Sequence, residues 1–176
     1  EQGGDSLTCD VLALVLGEPD LQQKQDSSAG LEVLEIQASG SPVRVHSVAA
    51  GLEVRAGRLG YELQTRRILL DGEDSVSIYA SGVELEAKSV DYTPGEANAV
   101  GSLMAIGPGW IRAVDEKQPA IESHWQKWLR IRPDDVGHVA SISGQAEVSV
   151  DLQGKLAGEE MHFWFEQTQE GNSASS

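Results

Sequence analysis

The chain has 176 residues and carries 28 acidic against 13 basic side chains, which gives a formal net charge of −15. A surface so acidic repels phosphate backbones and anionic membrane surfaces, which argues against nucleic-acid binding and against membrane attachment through charge. Hydrophobic residues make up 40% of the chain, but no apolar run reaches the length of a membrane span, so the composition indicates a folded domain.

The amino terminus begins without a methionine or a signal peptide, on the polar residues 1–4. We therefore expect that an upstream leader or anchor has been removed. Residues 7–14 match only the second half of the repeat described next, so the chain is predicted to begin in the middle of a repeat or at a cap. Cys9, the single cysteine, occupies the small-residue position of that half and is expected to be buried there.

An internal repeat is the strongest signal in the chain. Residues 51–61 read GLEVRAGRLGY and residues 82–92 read GVELEAKSVDY, so the same phrase returns 31 residues later. Apolar and polar side chains alternate with a period of two in both copies, which predicts β-strands with one apolar face. The alternation slips at Gly57-Arg58, which predicts a corner after which the strand returns to the same apolar interior. An ordinary β-sandwich with similar strands is the alternative.

Each copy is preceded by a second strand pattern. Residues 39–46 and 71–79 open with a small or acidic residue and a glycine, which predict a turn, and continue with alternating aliphatic residues. Residues 143–152 repeat that opening, and residues 156–163 are a degenerate form of the second half of the repeat.

The segment between these copies has a different pattern. Gly107-Pro-Gly109 is predicted to separate two short apolar strands within residues 101–113. Residues 119–132 also fit an amphipathic helix, but we favour a loop that includes residues 116–123 and then a strand at 127–132, because residues 132–137 form a good turn into a strand at 138–142. The whole chain is then predicted to contain a dozen or more short antiparallel strands.

These patterns predict a single β-domain over residues 1–166. Its repeats are regular at about 34–113 and degenerate at 119–166, and residues 167–176 are expected to form a disordered tail.

The phrase at residues 51–78, with a less complete copy at 82–106, resembles the OstA-like family of lipopolysaccharide-transport proteins. That family includes LptA-like periplasmic bridges, LptC-like anchored partners and the amino-terminal domain of the outer-membrane translocon. The match covers residues 34–113, is weak over 138–165 and finds no counterpart for 119–132. The resemblance implies an all-β, antiparallel β-taco or β-jellyroll of repeated short strands, in which two facing sheets surround an apolar groove.

In the family, that groove holds lipopolysaccharide acyl chains, and exposed sheet edges join copies or other envelope β-jellyroll proteins head to tail. By position, the resemblance places ten side chains in the groove: Leu52, Val54, Ala56, Leu59, Tyr61, Val83, Leu85, Ala87, Val90 and Tyr92. A dry core, which uses the same residue types, is the alternative. Five side chains are candidates for a basic groove mouth: Arg44, Arg55, Arg58, Arg66 and Arg67.

Four tryptophans lie in the second half, at positions 110, 125, 128 and 164. If their bulky side chains plug the groove, a structural or docking role replaces lipid transport. Exposed tryptophans would instead suit carbohydrate binding.

The sequence offers no recognisable catalytic motif. The sequence has no nucleophile elbow, phosphate loop, dinucleotide fingerprint or His-Glu-x-x-His pair, and its four histidines are far apart. The acidic turns at 71–74 and 133–135 lack the spacing of a calcium loop. We therefore expect no catalytic residue, no metal and no cofactor.

The sequence thus predicts a non-enzymatic protein of the cell envelope, located in the periplasm after removal of an upstream signal or anchor. Its expected partners are lipopolysaccharide or another acyl-chain lipid, bound in the groove, and further β-jellyroll copies or proteins, joined through edge strands. The alternative is a self-associating structural β-scaffold or interaction module without a lipid ligand. No nucleic-acid partner is expected.

Overall fold

A computed structural model describes residues 4–17, 31–95, 101–115, 118–135 and 137–165. Within these ranges the chain forms β-strands and no helix, and every strand pairing is antiparallel. The strands are β1 (Ser6–Thr8), β2 (Val11–Gly17), β3 (Glu32–Ser47), β4 (Leu52–Glu62), β5 (Arg67–Ala80), β6 (Val83–Thr93), β7 (Ser102–Ile106), β8 (Gly109–Asp115), β9 (Gln118–Trp125), β10 (Trp128–Asp134), β11 (Gly137–Val150) and β12 (Gly154–Phe165). The predicted all-β antiparallel fold is therefore confirmed, while the tail predicted at 167–176 lies outside the described residues.

Long strands in the first half are bent at their middle. The β3–β4 ladder is interrupted between Ser39 and Val43, and the β4–β5 ladder between Arg55 and Arg58. A similar interruption divides the β5–β6 ladder. Such register shifts let a strand change direction while it keeps its partner. The corner predicted at Gly57-Arg58 is thus confirmed.

In the second half the corner separates β7 from β8 and β9 from β10, whereas β11 and β12 bend through it, with a register shift between Ser143 and Ala146. Gly107 and Pro108 lie between β7 and β8, and residues 126–127 lie between β9 and β10. The second part of β6 pairs with β7 and its first part with β8, while β11 divides in the same way between β10 and β9. Because β7 also pairs with β10, and β8 with β9, these ladders close into a barrel-like ring, β6–β7–β10–β11–β9–β8. The strand predicted at 127–132 is confirmed as β10, but the loop predicted at 116–123 is wrong over its described part, because residues 118–123 belong to β9, which pairs with both β8 and β11.

The bends divide the molecule into two layers. Layer 1 consists of β1, β8, β9 and the parts of the long strands at 43–47, 52–56, 76–80, 83–87, 146–150 and 154–158. Layer 2 consists of β2, β7, β10 and the parts at 32–39, 58–62, 67–71, 89–93, 137–143 and 160–165.

One hydrophobic core joins the two layers. Val54 of layer 1 and Leu70 of layer 2 belong to the same buried cluster, as do Trp125 of layer 1 and Leu129 of layer 2. Apolar side chains alternate with outward polar ones along strands such as β4 and β6, so both layers bury their inner faces against each other. The open-sided β-taco or β-jellyroll form itself stays a prediction.

The 31-residue repeat corresponds to two bent strands with their turns, so that β4 and β6 are equivalent. Gly51 and Gly82 have φ values of 56° and 85°, in the left-handed region that favours glycine, and each precedes its strand. Ala56 and Ala87 lie at the corners and are both buried, because a small side chain is needed where the layers converge. The two copies of the repeated sequence therefore form the same structure, a strand that bends from one layer to the other at its alanine.

Two local expectations were wrong. Gly40 and Gly72 do not begin chain-reversing turns but lie inside β3 and β5, where the strands bend. A Cβ atom at Gly72 would collide with the Ser75 carbonyl, so glycine permits the bend itself. Cys9 is half-buried rather than buried, because it joins β1 to β2 at the margin of the sheet.

Candidate functional site

Two rows of apolar side chains run across the inner face of layer 2, one residue from each strand in turn. We call the first the buried row: Leu12, Ala38, Leu59, Leu70, Val90, Ala105, Leu129, Ile142 and Met161. We call the second the apolar lane: Leu14, Ile36, Tyr61, Ile68, Tyr92, Leu103, Ile131, Ala140 and Phe163.

The two rows differ in solvent exposure. Six members of the buried row are at most 4% exposed. In contrast, no member of the apolar lane is fully buried. On the edge strand β2 both rows are open, since Leu12 and Leu14 are each 54% exposed. With adjacent strands about 4.8 Å apart, nine neighbouring strands give the lane a length of about 38 Å. The lane is therefore a long strip of partly exposed apolar surface packed beside the core.

The inner margin of layer 1 has a similar character. Its row contains Leu52, Ala80, Val83, Ala113, Ile121 and Val150. Val83 and Ile121 are 36% and 43% exposed, and the other members are half-buried. Both layers thus end in apolar rather than polar side chains, which is unusual for a sheet margin in contact with water.

The strand β2 extends the apolar surface to the edge of the sheet. Val11, Leu12, Leu14, Val15 and Leu16 are all exposed. Among the described residues β2 pairs with β3 alone, which leaves its other edge without a backbone partner. An exposed apolar edge strand is a template on which another strand can pair.

The ten predicted groove residues separate into two sets. Five lie in the buried core, where they contact protein and not solvent: Val54, Ala56, Leu85, Ala87 and Val90. The other five retain exposure: Tyr61 and Tyr92 in the apolar lane, Leu52 and Val83 in the layer 1 margin, and Leu59 in the buried row. Only the second set has surface for a ligand.

The predicted basic cluster is also divided. Arg66 and Arg67 lie at the turn from β4 to β5, next to the lane residues Tyr61 and Ile68. The other three lie at the outer corner, where Arg44 is opposite Arg55 and where Arg55 and Arg58 line a cleft of about 730 Å³.

Arg67 is engaged by two carboxylates. Its Nε and Nη2 atoms donate to Asp91 Oδ1 and Oδ2 at 2.9 and 2.7 Å, and Glu62 lies 3.6 Å away. The hydrogen bonds from Arg67, more than the charge attraction, lower the pKa of the Asp91 carboxyl below its ordinary value, whereas partial burial opposes the shift. The same contact raises the pKa of Arg67. Arg67 therefore presents little uncompensated charge.

The tryptophans have different surroundings. Trp125 is 1% exposed and fills the interior of the second half, whereas Trp164 is 65% exposed on the outer side. Trp110 and Trp128 are half-buried and face outward. Within the described ranges the buried Nε1 atom of Trp125 and both ring nitrogens of the buried His138 have no hydrogen-bond partner. The ring of Trp125 therefore fills the deep interior, whereas the apolar lane, at the margin of layer 2, stays partly exposed.

Sequence reasoning missed most of the lane. The lane also contains Ile36, Ile68, Leu103 and Ile131. The repeat does not predict these four as site residues, because it gives no information on which residues of neighbouring strands lie opposite each other. Tyr61 and Tyr92, which share a position in the repeat, were the available signal.

Any function must be argued from the site, because no protein-family model matches the chain and no curated protein matches its sequence. Within the described ranges, no helix is long and apolar enough to cross a membrane, and no three His, Cys, Asp or Glu side chains are grouped as a metal site requires.

Proposed function

We propose that this protein binds an acyl-chain lipid, such as lipopolysaccharide or another glycolipid, along the apolar lane, and that it does so in the cell envelope without catalysis. The observation that carries the proposal is the unbroken row of partly exposed apolar side chains from Leu14 to Phe163. This arrangement agrees with the resemblance of residues 34–113 to OstA-like lipopolysaccharide-transport proteins.

The energetics favour an extended hydrocarbon over a compact ligand. Each methylene group that is fully buried contributes about 0.8 kcal/mol, so ten methylene groups half-buried on the lane contribute about 4 kcal/mol. A strip about 38 Å long suits a linear chain, because a compact ligand would cover only a few of the nine residues. The polar head of the lipid remains in water beside the margin.

The exposed edge of β2 supports a bridging role in the same function. A strand from a second copy, or from another envelope β-jellyroll protein, would pair with the free edge of β2 and continue the lane across the junction. Leu12 and Leu14 lie at that edge and belong to the two inner rows, so apolar surface reaches the junction.

The three tyrosines provide a matched test. Tyr61 and Tyr92 lie in the lane, and Tyr79 faces outward and is 45% exposed. We expect benzoylphenylalanine at position 61 or 92 to crosslink a radiolabelled C16 fatty acid, and the same residue at position 79 not to do so. Equal crosslinking at all three positions, or none at 61 and 92, would contradict lipid binding in the lane.

A self-associating scaffold is the second candidate, and it is favoured by the exposed apolar edge of β2. Leu14→Pro would remove a backbone donor and block strand addition at that edge. If association in analytical ultracentrifugation is lost while no variant takes up the fatty acid, the scaffold is supported and the lipid role is not.

A further inference from the structure

The outer face of layer 1 carries a small depression in which two aromatic rings lie among charged groups. We call it the outer aromatic site; it has a volume of about 200 Å³, and its outward side chains are Glu53, Arg55, Ser77, Tyr79, Glu84, Glu86 and Trp110. Ile78 and Leu85, which alternate with these residues, pack in the core. The sheet therefore separates this site from the apolar lane.

Cross-strand register sets a carboxylate beside each ring. Tyr79 lies between Glu53 of β4 and Glu84 of β6, and Trp110 of β8 lies opposite Glu86. Ser77 lies between Arg55 and Glu86 in the next rung. Directly opposed residues in antiparallel strands are within side-chain contact distance. Each aromatic ring thus has hydrogen-bonding groups next to it.

The charges of the site select the class of ligand. Three carboxylates against one guanidinium make the site negative, which repels an anion. Among the described residues Arg55 forms no ion pair, so its guanidinium is a free hydrogen-bond donor, which a hydroxyl oxygen can accept and an organic cation cannot. A neutral ligand with both hydroxyl groups and an apolar face uses the carboxylates, the guanidinium and the rings together.

A sugar ring has these properties. Its C–H face packs on Tyr79 or Trp110, as aromatic side chains offer a flat apolar surface. Its hydroxyl groups donate to Glu84 and Glu86 and accept from Arg55. We propose that the outer aromatic site binds a neutral oligosaccharide.

The spacing of the rings favours an oligosaccharide over a single sugar. Tyr79 and Trp110 are two strands apart and displaced by two residues along them, so their Cα atoms lie about 12 Å apart. Two separate rings of one ligand can therefore stack on the two platforms.

The test is a titration of the ¹⁵N-labelled protein with cellohexaose and with chitohexaose. We expect a saturable shift of the Trp110 Nε1–H signal with at least one of them, and affinity at least about tenfold lower for glucose or N-acetylglucosamine. Trp110→Ala and Tyr79→Ala should each weaken binding by about tenfold or more, whereas Tyr79→Phe retains the ring and should retain binding. Trp164→Ala, which removes an exposed ring elsewhere, is the matched control and should bind normally.

Several outcomes would overturn the proposal. These are no saturable binding of either hexasaccharide, binding that survives the double Tyr79→Ala, Trp110→Ala change, or tighter binding of choline or glucose 6-phosphate than of any neutral sugar. Unchanged thermal unfolding of the variants shows that they are folded. Because the site faces away from the lane, fatty-acid crosslinking at positions 61 and 92 is independent of every outcome.

Discussion

The repeated half and the tryptophan-bearing half reach the same two-layer arrangement by different packing. In the first half, long strands continue through the corner, and the core is divided among modest side chains such as Val43, Val54 and Val76. In the second half β7 and β8, and β9 and β10, are separated at the corner while β11 and β12 bend through it, and a single large side chain, Trp125, lies in the same buried cluster as Leu129. The comparison teaches that a distributed core and a concentrated core can support one continuous inner face, although they should respond differently to truncation.

Truncation of the tryptophan is the strongest test of this difference. Trp125→Ala should lower the free energy of unfolding by about 3–5 kcal/mol, because it leaves a large cavity where two layers meet. Leu70→Ala in the first half should cost less, about 2–3 kcal/mol. Urea denaturation followed by circular dichroism measures both.

Trp164→Ala is the matched control for that experiment. Its ring is exposed and donates one hydrogen bond to Asp134 Oδ2 at 3.1 Å, so the loss should stay within about 1 kcal/mol. Equal losses for Trp125→Ala and Leu70→Ala would show that the second half does not depend on one side chain.

Insertion of a methyl group at the corner should have an intermediate effect. A Cβ atom at Gly109 would collide with the backbone carbonyl oxygen of Glu86 and lie 2.7 Å from the Trp125 ring, so Gly109→Ala should destabilise by about 1–3 kcal/mol through overpacking. At Gly57, in the first half, the nearest atoms would be 3.3 Å away, and Gly57→Ala should cost less. Urea denaturation measures both losses, and a larger loss for Gly57→Ala than for Gly109→Ala would contradict the tighter packing around Trp125.

The smallest expected effect concerns the Arg67–Asp91 contact of the first half. Because the folded-state pKa of Asp91 lies below its unfolded value of about 3.8, the contact stabilises the folded protein above that pH, and this contribution is lost as the pH falls through the folded-state pKa. Asp91→Asn should therefore lower the urea midpoint slightly at pH 7, and the difference from the parent protein should shrink as the pH falls below about 3.8 and vanish once Asp91 is protonated in the folded state. If the urea midpoints of the two proteins still differ at acidic pH, the destabilisation comes from altered packing and not from the lost charge. Both side chains are about two-fifths exposed, which keeps it small.

Strand identity and the corner at Gly57 could be predicted from the sequence because they depend on local alternation and on a local break in it. The residues that form the apolar lane could not be predicted in this way. They depend on which residue of β5, β7 or β10 aligns with Tyr61 or Tyr92 across the sheet, and tertiary structure sets that register. For the same reason, the repeat alone does not separate Val54 and Leu85, which lie in the buried core, from Tyr61 and Tyr92, which retain exposed surface. The pairing of Tyr79 and Trp110 with carboxylates depends on three separate ladders, none of which the repeat reveals.

The equivalence of β4 and β6 has a consequence for how ligand size is encoded. Each 31-residue unit adds two strands and hence about 10 Å of inner face, with one tyrosine at the lane. A tandem duplication of residues 51–81 would therefore lengthen the strip without altering any existing contact between neighbouring strands of a unit. In such a molecule, the number of units sets the length of ligand that the inner face can hold. Selection for a longer ligand can therefore act on gene duplication before it acts on any single side chain.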